Sequence, residues 1–200
     1  MSGSIKLNSA SGGGSVSLQA PSSSSNNRVL TLPDVADTTL STVNGIKMLD
    51  VWTLSTTYNF TSGDIVDLGF VRANSYAATI GSAMTESSGV FTFPETGIYE
   101  IVWDSSYASS SDLRYVSHKI EKVVSGTVSN MATKYGRINT TSVSGTHYGN
   151  TQTRAFFNVS NVSTHKVRFE FTAVAGVSLS SAHSSNFILT GFYFIRIGDT

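Results

Sequence analysis

The sequence predicts an all-β protein: an antiparallel jelly-roll sandwich preceded by an extended N-terminal arm. Three observations carry this expectation. Serine and threonine make up more than a quarter of the 200 residues while proline contributes only 3, a composition of strands joined by polar turns. Apolar residues alternate with polar ones in run after run beyond residue 46. About eight such runs stand at the spacing of a sandwich, the natural count for a jelly roll.

Residues 1–45 form the arm. Its three short alternating runs contribute Ile5 and Leu7, then Val16 and Leu18, then Val29, Leu30 and Leu32, and Ser/Gly- and Ser/Asn-rich stretches separate them. Each run is too small to bury itself, and two strands alone are marginal in water. The arm is therefore expected to be disordered, or ordered by pairing with something else, and to serve attachment. A flexible tail is the alternative, which the apolar alternation disfavours.

Residues 46–200 form the head. Strands are expected near 48–54, 65–71, 115–124, 155–159 and 187–197, with Tyr99, Ile101 and Trp103 on one face of a strand after Gly97. Val167, Phe169 and Phe171 alternate with Arg168, Glu170 and Thr172 in the same way. The last strand differs because both of its faces are apolar: Phe187, Leu189, Tyr193, Ile195 and Ile197 on one, Ile188, Phe192 and Phe194 on the other. A two-layer sandwich buries only one face of each strand. The expectation is a homo-oligomer whose seam contains Phe187, Leu189, Phe192 and Phe194; burial beneath the arm is the alternative.

Thirteen basic residues balance thirteen acidic ones without a basic stripe, which argues against nucleic acid as a partner. There is no cysteine, hence neither a disulfide nor a thiolate metal site. No apolar stretch approaches the ~20 residues of a membrane span, so no membrane partner is expected. The start, Met1-Ser2-Gly3-Ser4, does not read as a secretory leader, and the sequons at Asn59, Asn139, Asn158 and Asn161 are what this Ser/Thr content produces by chance.

Chemistry is not signalled. His118, His147, His165 and His183 have no metal-ligand spacing, and Asp64 with Asp67 or Asp104 with Asp112 read as solvated loop carboxylates rather than calcium ligands. No nucleophile motif is present, so neither an enzyme nor a cofactor is expected. Tyr107, Tyr115, Tyr135 and Tyr148, with the Ser/Asn-rich loops around them, read as ordinary loop and rim residues; a sugar-contacting surface is the alternative.

The stretch Gly89-Val90-Phe91-Thr92-Phe93-Pro94-Glu95-Thr96-Gly97-Ile98-Tyr99 resembles the hallmark of the complement globular-head and tumour-necrosis-factor superfamily, an aromatic strand, a Pro-x-x-Gly turn and a second aromatic strand. Asn186-Phe187-Ile188-Leu189-Thr190-Gly191-Phe192 is similar to that family's closing strand. The resemblance covers roughly residues 46–198 and implies a trimeric binding protein without catalysis. In the arm, Ser15-Val16-Ser17-Leu18-Gln19-Ala20-Pro21 and Asn27-Arg28-Val29-Leu30-Thr31-Leu32-Pro33-Asp34 resemble a segment of tailed-bacteriophage virion proteins.

Together these resemblances imply a virion protein made in the host cytoplasm: a trimeric capsid decoration (cement) protein on the phage head. Its arms would add strands to the major capsid protein or another virion protein. The alternative is a receptor-binding tip or short tail fibre recognising a host surface glycan. A free lectin would need no arm, and a depolymerase would need paired carboxylates that this acid-poor chain scarcely offers.

Overall fold

The computed structural model describes residues 4–8, 11–19, 45–60, 63–65, 67–73, 79–110, 113–138, 145–173, 177–179 and 189–200. Contacts divide the chain into two units, Met1–Thr42 and Val43–Thr200.

In the first unit β1 (Ser4–Asn8) and β2 (Ser15–Gln19) pair antiparallel, with Ile5 opposite Leu18 and Leu7 opposite Val16. This corrects the expectation that the arm finds its pairing only outside itself: its first two runs pair with each other. Val29, Leu30 and Leu32 lie outside the described residues.

The second unit is an antiparallel jelly-roll sandwich, and every regular element described in it is a strand. In chain order these are β3 (Met48–Leu54), β4 (Tyr58–Asn59), β5 (Gly63–Ile65), β6 (Phe70–Arg72), β7 (Thr85–Ser87), β8 (Val90–Thr92), β9 (Gly97–Ser109), β10 (Leu113–Val124), β11 (Thr127–Ile138), β12 (His147–Val159), β13 (His165–Ala173), β14 (Val177–Leu179) and β15 (Gly191–Gly198). One sheet runs β12-β9-β15-β3-β6, with β14 and β4 continuing from the far end of β9. The other runs β11-β10-β13-β8-β7, with β5 added to β13. From β8 onward the chain passes repeatedly between the sheets.

Period-2 alternation determines what each strand buries. The inward residues Phe91 and Phe169 of the second sheet meet Trp52, Phe192 and Phe194 of the first, and Phe169 stacks on Phe192 with centroids 4.0 Å apart. Each fully buried ring contributes about 1.5–3 kcal/mol through lost water contact, so this aromatic cluster is the main bond between the sheets.

The corner after Pro94 is pinned twice: the Tyr99 hydroxyl donates to the Glu95 carbonyl at 2.9 Å, and Arg196 Nε donates to the Thr96 carbonyl at 2.9 Å. Gly97 (φ +150°) is needed for that approach, because a Cβ there would sit 2.5 Å from Arg196 Nε.

Two elements differ from the expectation. The run at 65–71 divides: Ile65 pairs with Phe171 in one sheet, whereas Phe70 pairs with Leu54 in the other. Between 124 and 147, where no strand was expected, β11 forms the edge of the second sheet.

Candidate functional site

Phe192 and Phe194, expected at a trimer seam, are instead 2 % and 0 % exposed inside the head's own core. Register explains the correction. Phe192 stands between Trp52 and Trp103, and Phe194 between Asp50 and Ile101, all of them inward positions of β3 and β9. The outward set of β15 is therefore Tyr193, Ile195 and Ile197, the first two half-buried and the last exposed. Leu189 is also exposed, and Phe187 lies outside the described residues.

These outward residues belong to a wider apolar face. Tyr193 is flanked by Val51 and Val102, and Ile195 by Leu49 and Glu100; Val71 extends the patch on β6, and Phe156 is 60 % exposed on β12. At its centre Arg154 lies 3.1 Å from Glu100 and hydrogen-bonds Tyr193. Burial, reinforced by the Glu100 charge, raises the Tyr193 pKa above its ordinary value. Further along β9 and β12, Asp104, Ser106, Asn150, Gln152 and Leu189 line a polar groove of about 420 Å³, where the Gln152 amide donates to Asp104 at 2.8 Å.

The second sheet faces outward with a different chemistry. Lys119 pairs with Glu170, and Arg168 lies 2.7 Å from Glu121 and 3.8 Å from Glu170, a ladder of charges across β10 and β13. Beyond it the exposed rings of Tyr115 and Tyr135 meet edge to face at 5.7 Å. Tyr148 is exposed as well. Tyr107 departs from the suggested sugar surface: it is 1 % exposed and bonds Thr151 Oγ1 at 3.1 Å.

His118 is fully buried, 3.0 Å from Ser105 Oγ, with its ring 4.7 Å from Phe171 and 5.0 Å from Trp103. Burial pushes its pKa down to about 3, so it is neutral at ordinary pH. The Ser105–His118 pair resembles half of a catalytic triad, but both side chains are buried at inward positions of the sandwich, Ser105 at the floor of the groove beside Asp104 and Ser106. The sequence contains its signal: His118 lies between inward Val116 and Ile120, at the same parity. Elsewhere His165 stacks on Phe157 at 5.6 Å, and Asp104 is held by Gln152, while His183 and Asp112 lie outside the described residues. Among the described residues no group of three or more His, Asp or Glu side chains is placed to hold a metal ion, and no helix is long and apolar enough to cross a membrane.

No established family profile matches the sequence, and no curated protein matches it either. Among solved structures, the chain is similar to murine APRIL at pH 8.5, with 10% identity and a TM-score of 0.48 over 75% of this chain and 98% of that one. It is likewise similar to murine APRIL at pH 5.0, with 12% identity and a TM-score of 0.49 over the same shares. The likeness is one of fold. The head itself is an antiparallel sandwich of two sheets.

Proposed function

We propose that this protein is a non-enzymatic structural component of a virus particle: a homotrimeric capsid decoration protein whose head assembles through the outward face of its first sheet and whose N-terminal arm attaches it to the phage shell. The observation that carries the reading is the face formed by Leu49, Val51, Val71, Phe156, Tyr193 and Ile195. A largely apolar sheet face with one ion pair, Arg154–Glu100, set within it suits an association surface, and a second copy of the chain is the simplest cover. The number three and the particle rest on the resemblances of the head and of the arm. The hairpin of β1 and β2 fits an attachment role because its open edges can extend a partner's sheet.

A receptor-binding tip is the second reading, favoured by the exposed Tyr115–Tyr135 pair, whose ring faces suit a saccharide.

Light scattering and particle occupancy test the first reading. Tyr193→Asp with Ile195→Asp should convert a trimer into a folded monomer, and Leu7→Asp with Leu18→Asp should leave the trimer intact but empty the particle of it. An unmodified chain that is monomeric, or arm variants at full occupancy on the shell, would overturn the assignment. Labelled copies confined to the tail would favour the second reading.

A further inference from the structure

On the outward face of the second sheet, the charges of β10 and β13 neutralise one another until the row in which Thr92, Lys166 and Val123 stand side by side across β8, β13 and β10. There the pattern breaks, because Lys166 has no ion-pair partner among the described residues. Lys166 is half-buried in the wall of an open recess of about 510 Å³. The turn at Ser125 and Gly126 between β10 and β11 forms one side, and the turn before β13 forms another.

Hydroxyls supply the rest of the polar lining. Thr164 is committed to His165 Nδ1 at 3.1 Å, but the side chains of Ser87, Thr92, Ser125 and Ser163 make no hydrogen bond among the described residues. Both turns are shaped without them: Ser125 N donates to the Thr164 carbonyl at 3.0 Å, and Ser163 N donates to Asn161 Oδ1 at 2.9 Å. The apolar lining is Val90 and Val123. Glu121, on the same face, is held by Arg168 and makes no ion pair with Lys166.

We propose that this recess binds an anionic saccharide residue, a ring that carries one carboxylate or sulfate. The ammonium supplies the counter-charge, the free hydroxyls exchange water for ring hydroxyls, and the valines take the C–H face of the ring. A single lysine suits one point charge and not a polyanionic backbone, which requires many cations. This inference deepens the glycan-recognition reading and rests on it. One site binds weakly, and several copies in one assembly multiply it through effective concentration.

The test is a titration of the full chain followed by amide chemical shifts, with glucuronic acid, galactose 6-sulfate, galactose and inorganic phosphate as separate probes. Lys166, Ser125, Gly126 and Ser163 should shift with one of the charged sugars, and which one identifies the carboxylate or the sulfate as the anion. Galactose and phosphate should bind at least about tenfold more weakly, as expected when one charge-assisted contact or the ring contacts are missing. Lys166→Gln should weaken the charged sugar by a similar factor at unchanged melting temperature, and Ser163→Ala provides a second, milder variant. Phosphate binding as tightly as the sugars would overturn the saccharide assignment. Sugar-induced shifts at Tyr115 and Tyr135 that survive Lys166→Gln would overturn this site while supporting the recognition reading. Absence of binding to every sugar would count against both.

Discussion

Asp50 and Arg72 form a bidentate ion pair at the margin of the core, with Nε 2.9 Å from Oδ1 and Nη2 3.2 Å from Oδ2, and the Asp50 side chain is fully buried. The second carboxylate oxygen also accepts from Met84 N at 2.9 Å, and Arg72 donates to the Met84 carbonyl at 2.6 Å while lying over Trp52 at 4.7 Å. One pair thus ties β3 and β6 of the first sheet to the segment that leads into the second. Asp50→Ala removes three charge-assisted hydrogen bonds but leaves Arg72 part-exposed and still bonded to the Met84 carbonyl, so it should cost about 1.5–3 kcal/mol in urea unfolding. Asp50→Leu with Arg72→Leu should cost clearly less than the sum of the two single changes, since the buried Asp50 charge is then not stranded.

The enclosed imidazole of His118 predicts an acid sensitivity that starts above the carboxylate range. Its folded pKa of about 3 lies below the ordinary value of 6.5, so between those values the unfolded chain binds a proton that the folded chain refuses. The stabilising contribution is complete above pH 6.5 and is lost as pH falls towards 3, at up to about 1.4 kcal/mol per pH unit from this group. Carboxylates titrate lower, so the interval between pH 6.5 and 5 isolates the effect. His118→Phe with Ser105→Ala should flatten stability across that interval. A slope equal to that of the unmodified chain would assign the acid response to other groups.

How far the sequence discloses this architecture depends on whether a strand has one wet face and one dry face. Where it does, as in β9 and β13, alternation reveals both the strand and its buried side, and the Pro94–Gly97 corner is legible because only certain residues fit it. An edge strand such as β11, paired on one side and exposed over most of its length, has little apolar content to alternate. The run at 65–71 reads as one strand because Val66, Leu68 and Phe70 continue the alternation in sequence past the place where pairing changes sheets. On β15 both faces are apolar, so composition shows that two covers exist but not which one is the core; Trp52 and Trp103 decide it in favour of Phe192. Asp50 and His118 sit at inward parity and read only as breaks in a pattern until Arg72 and Ser105 arrive from elsewhere in the chain. The Lys166 recess is invisible for another reason: its hydroxyls come from separate turns in a chain where serine and threonine are everywhere.

Tyr107 supplies the last prediction. Its ring passes between two edge strands that are not hydrogen-bonded to each other, β11 of one sheet and β12 of the other, and a glycine stands on each side. A Cβ at Gly136 would lie 1.8 Å from the Tyr107 hydroxyl and 2.4 Å from Thr151 Oγ1; a Cβ at Gly149 would lie 2.5 Å from the ring itself. Neither obstacle can swing away, because Tyr107 is buried and bonded to Thr151. Backbone strain does not enter at these positions, so the effect of substitution is steric. Gly136→Ala should cost about 1–3 kcal/mol, the usual range for overpacking, and Gly149→Ala a similar amount. Tyr107→Phe removes the atom closest to the new Gly136 methyl but leaves the ring in place. It should therefore recover part of the loss from Gly136→Ala and little of that from Gly149→Ala, a difference that a double-mutant cycle reads directly. Equal rescue at both glycines would mean that the ring relocates as a whole and that this seam between the sheets is softer than its packing implies.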